Sequence, residues 1–216
     1  MEGVSLGSHQ STKEIKEEGR ILIQIGMTYP VITGGGDSIE QEVNACMARW
    51  AENLVDGACL AMIEEARAAQ RLLPDALPFR ITLHHSPTYH EHGILSYFSD
   101  LYLFAGGRQG ATYRYGNTLR LRDGAPLFVT AFFPTDTDVR KVITGFIAHE
   151  QDGEIISSAA ARFFTPENVY LTEGGLAAFF QPHVLGPGAG GVSVFTMPYG
   201  GDGPFSPARL GLPERP

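Results

Sequence analysis

The chain has 216 residues, enough to bury a substantial core as one generous domain or two small ones. Apolar residues make up 43% and charged residues 19%, a globular composition and not a disordered one. Sixteen basic against 24 acidic residues leave a formal charge of −8, which disfavours nucleic-acid phosphates and anionic membranes as partners.

Residues 1–19 read as a polar, mobile lead-in outside the fold. They lack the apolar run of a signal peptide, and nothing in the chain approaches the roughly 20 apolar residues of a membrane span. Together with the initiating Met1, this gives the expectation of a cytoplasmic protein. Ile21–Ile25 and Tyr29–Ile32 read as one strand, with Gly26 at a bulge or bend and Pro30 near a sheet edge.

Gly34-Gly35-Gly36 releases the chain, and Asp37 with Glu40 three residues later predicts a capping box. A stripe through Ile39, Val43, Cys46, Met47, Trp50, Leu54, Ala58, Ala61 and Met62 predicts a helix packed on a sheet, with Trp50 at the interface. Carried to Leu73 that helix is about 50 Å long. A kink near Asp56-Gly57 or fraying before Pro74 is therefore expected. Cys46 and Cys59 lie thirteen residues apart on it, about 20 Å and out of disulfide reach.

After Pro78 the period changes to two. Phe79–His85, Ile94–Phe104 and Ala111–Arg122 predict an antiparallel meander, followed by amphipathic helices over Asp136–His149 and Glu154–Phe164. Val169–Thr172, Leu176–Gln181 and Val192–Pro198 read as closing strands. Gly174-Gly175 is expected to supply positive dihedrals for a tight turn between the first two. Pro182–Gly191 reads as a surface connection and Gly200–Pro216 as an extended tail. The predicted class is α+β: a mainly antiparallel sheet against one long helix, with two shorter helices before the last strands. A single domain over 20–199 is the simplest organisation.

Two stretches invite a functional reading. Arg108, Gln109, Tyr113, Arg114 and Tyr115 follow a glycine loop and combine the residue types enriched where proteins bind partners. The plain alternative is an exposed strand with Tyr113 and Tyr115 packed on one side and Arg114 outside. His84-His85-Ser86-Pro87-Thr88-Tyr89-His90-Glu91-His92 places imidazoles close together, with His85, His90 and His92 as weak metal candidates. Its plain alternative is a polar hairpin end. No nucleophile elbow, phosphate-binding Gly-Lys-Ser/Thr, dinucleotide fingerprint or Cys-x-x-Cys is present, and no cofactor is implied.

The C-terminal order of Leu171-Thr172, Gly175-Leu176, Phe180, Pro182, Pro187, Gly191, Phe195 and Met197-Pro198-Tyr199 resembles the core of the RsiV family. These are bacterial extracytoplasmic domains named after a lysozyme-sensing anti-sigma factor, and similar modules precede the catalytic part of some peptidoglycan deacetylases. Tyr29-Pro30 matches the family's strand before its main helix. Gly106-Gly107-Arg108-Gln109-Gly110 matches its Gly-Gly-Ala-His-Gly signature except at the histidine, which is Gln109 here. The resemblance implies a non-catalytic binding or sensor-like module for an unknown protein or small molecule. The alternative is a small metal-dependent hydrolase acting on cell-wall sugars or a small molecule. A deacetylase site is not expected, because His85-Ser86 is followed by His90 one residue late, and Thr135-Asp136-Thr137-Asp138 is not an Asp-Asp pair and comes after the histidines instead of before them.

Overall fold

A computed structural model of the chain describes residues 4–76, 78–107, 109–150, 154–186, 190–201 and 203–210. The fold is α+β. A mixed five-stranded sheet contains β1 (Ser5–Glu17), β2 (Arg20–Thr33), β3 (Phe79–Glu91), β4 (Ile94–Phe104) and β5 (Ala111–Arg120), in that order across the sheet. A second sheet holds β6 (Val169–Leu171), β7 (Gly175–Phe180) and β8 (Ser193–Pro198). The helices are α1 (Asp37–Leu72), α2 (Val139–Glu150) and α3 (Glu154–Phe163). Two compact units divide the chain: an N-terminal one of Glu2–His85 and Ser99–Tyr113, and a C-terminal one of Ser86–Phe98 and Arg114–Pro216.

In the N-terminal unit the polar lead-in is a strand. β1 pairs antiparallel with β2 from Ser5↔Thr33 to Glu17↔Arg20, closed by Glu18 and Gly19 at positive φ. Backbone pairing to an apolar neighbour orders this segment, so it needs little apolar content of its own. Gly26 pairs regularly with Thr12. The register shift lies instead between Ile15 and Lys16, where Ile15↔Ile23 is followed by Lys16↔Ile21, so the extra residue is Leu22 on β2.

β2 and β3 pair parallel, Ile23↔Phe79 to Met27↔Leu83, and a parallel pair needs a crossover. That crossover is α1, which runs unbroken for 36 residues through Gly57. The expected kink is absent for a geometric reason. At about 1.5 Å per residue α1 is about 54 Å long, and the 14 residues of β2 it retraces extend about 46 Å. The capping box is replaced by a glycine cap: Gly36 is the N-cap at φ 85° without a side-chain cap, and Gly34 N–H donates to Glu40 Oε2 at 3.0 Å. The Asp37 side chain lies outside the described residues.

The buried face of α1 is Val43, Met47, Ala51, Val55, Ala58, Cys59, Met62 and Ala66. It is rotated from the predicted stripe, because the alanines at 51, 58 and 66 let the helix approach the sheet closely. Trp50 and Leu54 flank it half-buried and Ala61 is exposed. Asn44 anchors the helix start: Ile32 N–H donates to Asn44 Oδ1 at 2.8 Å and Asn44 Nδ2 donates to Ile32 O at 2.9 Å. Near the other end, Arg67 makes a bidentate pair with Glu17. Both cysteines are free thiols, and burial pushes that of Cys59 up. Gly57 is exposed, and an added Cβ meets open space. Gly57→Ala is therefore expected to stabilise the protein by about 0.5–1 kcal/mol, read as a raised midpoint in urea denaturation.

In the C-terminal unit α2 and α3 cover one face of the second sheet through Ile143, Ile147, Ala160, Phe164, Leu176, Ala178 and Phe180. Tyr170, Ala177 and Phe179 pack on the opposite face with Phe98. Every residue of β7 is buried, which explains why its sequence reads as a continuous apolar run. The β6–β7 turn differs from the expected primed turn: neither Gly174 nor Gly175 has a positive φ, and Thr172 closes it, with its N–H and hydroxyl both bonding Gly175 O. Glycine is needed at 175 for space, since a Cβ there would lie 2.1 Å from Met197 O. The expected tail folds back over 203–210: Phe205 N–H donates to Phe132 O at 2.7 Å, and Pro207–Leu210 forms a short 3-10 turn.

Candidate functional site

The predicted 108–115 patch divides between the two units. Arg108 lies outside the described residues. In the N-terminal unit Gln109 is exposed and Tyr113 is 41% exposed. Beside them, a Cβ at Gly110 would meet the Tyr102 ring at 2.4 Å and Leu103 O at 2.5 Å, a packing reason for the glycine. In the C-terminal unit Tyr115 is half-buried and Arg114 does not simply face outward. The Arg114 guanidinium lies over Phe98, 3.7 Å from the ring centroid, a cation–π arrangement. Its main chain is bonded in both directions by the Gln181 amide, at 2.9 and 2.7 Å.

His85 and His92 make separate local contacts. His85 is buried, with Nδ1 3.1 Å from Thr28 Oγ1; burial, then the neighbouring His84, holds its imidazole below the usual range. His92 Nδ1 is 2.6 Å from the Tyr89 hydroxyl, and His90 is half-buried. Among the described residues no group of three or more His, Cys, Asp and Glu is placed to hold a metal ion.

Sequence reasoning missed a different surface, on β1–β3 of the N-terminal unit. Register brings Glu14, Gln24 and Arg80 into one row across three strands, and Thr12, Gly26 and Thr82 into the next. Alternation along each strand aims these side chains to one face, opposite the buried Ile23, Ile25, Phe79 and Ile81. Gly26 has no side chain to raise the floor, and a hollow of about 610 Å³ opens over it, lined by these residues with Lys13 and Ile25. The Glu14 carboxyl, bonded to Lys16 at 2.7 Å, is held below its usual range chiefly by that contact. Arg80 is exposed and, among the described residues, its guanidinium has neither ion pair nor hydrogen bond. The hollow thus offers hydroxyls, an amide and an uncommitted guanidinium on a rigid sheet. It has hydrogen-bonding and anion-pairing capacity. The signal for it in the sequence is the polar alternation of Gln24-Gly26 and Arg80-Thr82 within otherwise apolar strands.

Comparison with known proteins gives a fold and a family stretch. Residues 132–200 match the family model described as protein of unknown function (DUF3298). A member of that family from Bacteroides fragilis NCTC 9343 has a similar structure, with a TM-score of 0.66 at 14% identity over 97% of each chain. A DUF3298 family protein from Pseudomonas aeruginosa PAO1 gives 0.54 at 14% identity, over 90% of this chain and 91% of that one. No match is found among curated proteins. The matches carry the DUF3298 assignment of this stretch and nothing specific to RsiV. Among the described residues no helix is long and apolar enough to cross a membrane.

Proposed function

We propose that this chain is a non-catalytic recognition module, sensor-like in the sense the RsiV resemblance implies, and that its ligand sits in the hollow over Gly26. The observation that carries this reading is the uncommitted Arg80 beside hydroxyl and amide side chains on a sheet face whose opposite side is filled by α1. Such a set suits a polar ligand that presents a carboxylate to the guanidinium and hydroxyls or amides to Thr12, Gln24 and Thr82.

The test is a titration of the isotope-labelled protein with soluble muropeptides, which carry hydroxyls, amides and free carboxylates together. Amide shifts centred on Gln24, Gly26, Arg80 and Thr82 are expected. An added Cβ at Gly26 meets nothing within 4 Å, so Gly26→Leu projects into the hollow; it should abolish the shifts at an unchanged thermal midpoint. Absence of shifts in the wild type, or equal shifts in Gly26→Leu, overturns the assignment.

A further inference from the structure

The outer side of β1 carries its own partner code. β1 is the first strand of its sheet and pairs only with β2 among the described residues. It is 13 residues long and mostly exposed, and because the extra residue at the register shift lies on β2, its own alternation is unbroken. An edge of that length is a template for another strand, and lysines are the usual protection against such pairing.

Here the lysines do not protect. The segment Lys13-Glu14-Ile15-Lys16-Glu17 is its own charge complement when read in the opposite direction about Ile15. We infer that a second copy of this chain pairs antiparallel with β1, two-fold symmetric about Ile15. In that register Lys13 faces the partner's Glu17, Glu14 faces the partner's Lys16, and the two Ile15 side chains meet on the axis. Directly opposite charges on neighbouring strands are favourable and like charges are not. A register moved one residue one way sets Lys13 against the partner's Lys16, and moved the other way sets Glu14 against the partner's Glu17, so the charges select one alignment. The contacts already made inside the chain, Glu14 with Lys16 and Glu17 with Arg67, become parts of an alternating network. An isologous pair of this kind closes on itself and does not propagate. The two β1–β2–β3 layers then form one continuous surface with both Gly26 hollows on the same side.

Sedimentation equilibrium tests this. The wild type is expected at about twice the 23.4 kDa of one chain. Lys13→Glu/Lys16→Glu turns every cross-strand pair repulsive and is expected to weaken dimerisation at least about 100-fold. Glu14→Lys/Glu17→Lys does the same with the opposite sign, and an equimolar mixture of the two variants should recover the dimer. Circular dichroism on each variant separates loss of pairing from loss of fold. A monomeric wild type, a dimer indifferent to Lys13→Glu/Lys16→Glu, or two folded variants that fail to associate when mixed overturns the proposal.

Discussion

Gly175→Ala is expected to destabilise the protein by about 3 kcal/mol or more, and Gly174→Ala to leave it near wild type, although the two glycines are adjacent. A Cβ at 175 would sit 2.1 Å from the carbonyl oxygen of Met197 and 2.8 Å from its carbon. Those atoms belong to the backbone of β8, paired with β7 through Gly175↔Pro198 and Leu176↔Met197, so relief requires moving a strand and not merely a side chain. At Gly174 an added methyl meets nothing within 4 Å. For a chain of this size the difference corresponds to about 6–12 °C in thermal midpoint. Melting curves of the two variants that coincide would show that β8 can give way to a methyl group at 175.

Asn44→Leu is the second large expected effect, at about 2–3 kcal/mol. The Asn44 amide satisfies both the N–H and the carbonyl of Ile32, which is fully buried. Leucine preserves much of the volume and leaves both groups without their partner, so the cost is that of stranded polar atoms and not of a cavity. Hydrogen exchange gives the local readout: the Ile32 amide should lose protection ahead of the strand centre. Protection at Ile32 equal to wild type would mean that another group has taken over the bond. Gln181 makes the same bidentate contact to Arg114, so each unit closes a strand with one side-chain amide.

Legibility in the sequence follows the physics of each element. α2, α3 and β6–β8 bury apolar residues locally, so their periodicity survives in a short window. β1 does not: Ser-Leu-Gly-Ser-His-Gln-Ser-Thr-Lys-Glu-Ile-Lys-Glu has almost no apolar face, and its strand state is imposed by β2. The continuity of α1 through Gly57 is hidden because the helix looks too long until the length of β2 is known. Gly174-Gly175 drew attention for conformational freedom, whereas the constraint at 175 comes from β8, a strand some twenty residues downstream. The Gly26 hollow was the least readable feature. Its rows join residues near 12, 24 and 80, and only the parallel β2–β3 register brings the third group alongside the first two.

That parallel junction also sets an order of assembly. Ser5–Glu17 and Arg20–Thr33 are joined by a two-residue turn, so their hairpin closes at microsecond speed, on the order of 1–10 μs. Phe79–Leu83 can dock only after the intervening segment has wound into its rod and brought distant backbone alongside, a step slowed by the entropy of a long closed loop. The hollow over Gly26 is therefore among the last parts of the N-terminal unit to exist during folding, and a nascent chain halted before β3 carries only two of its three strands.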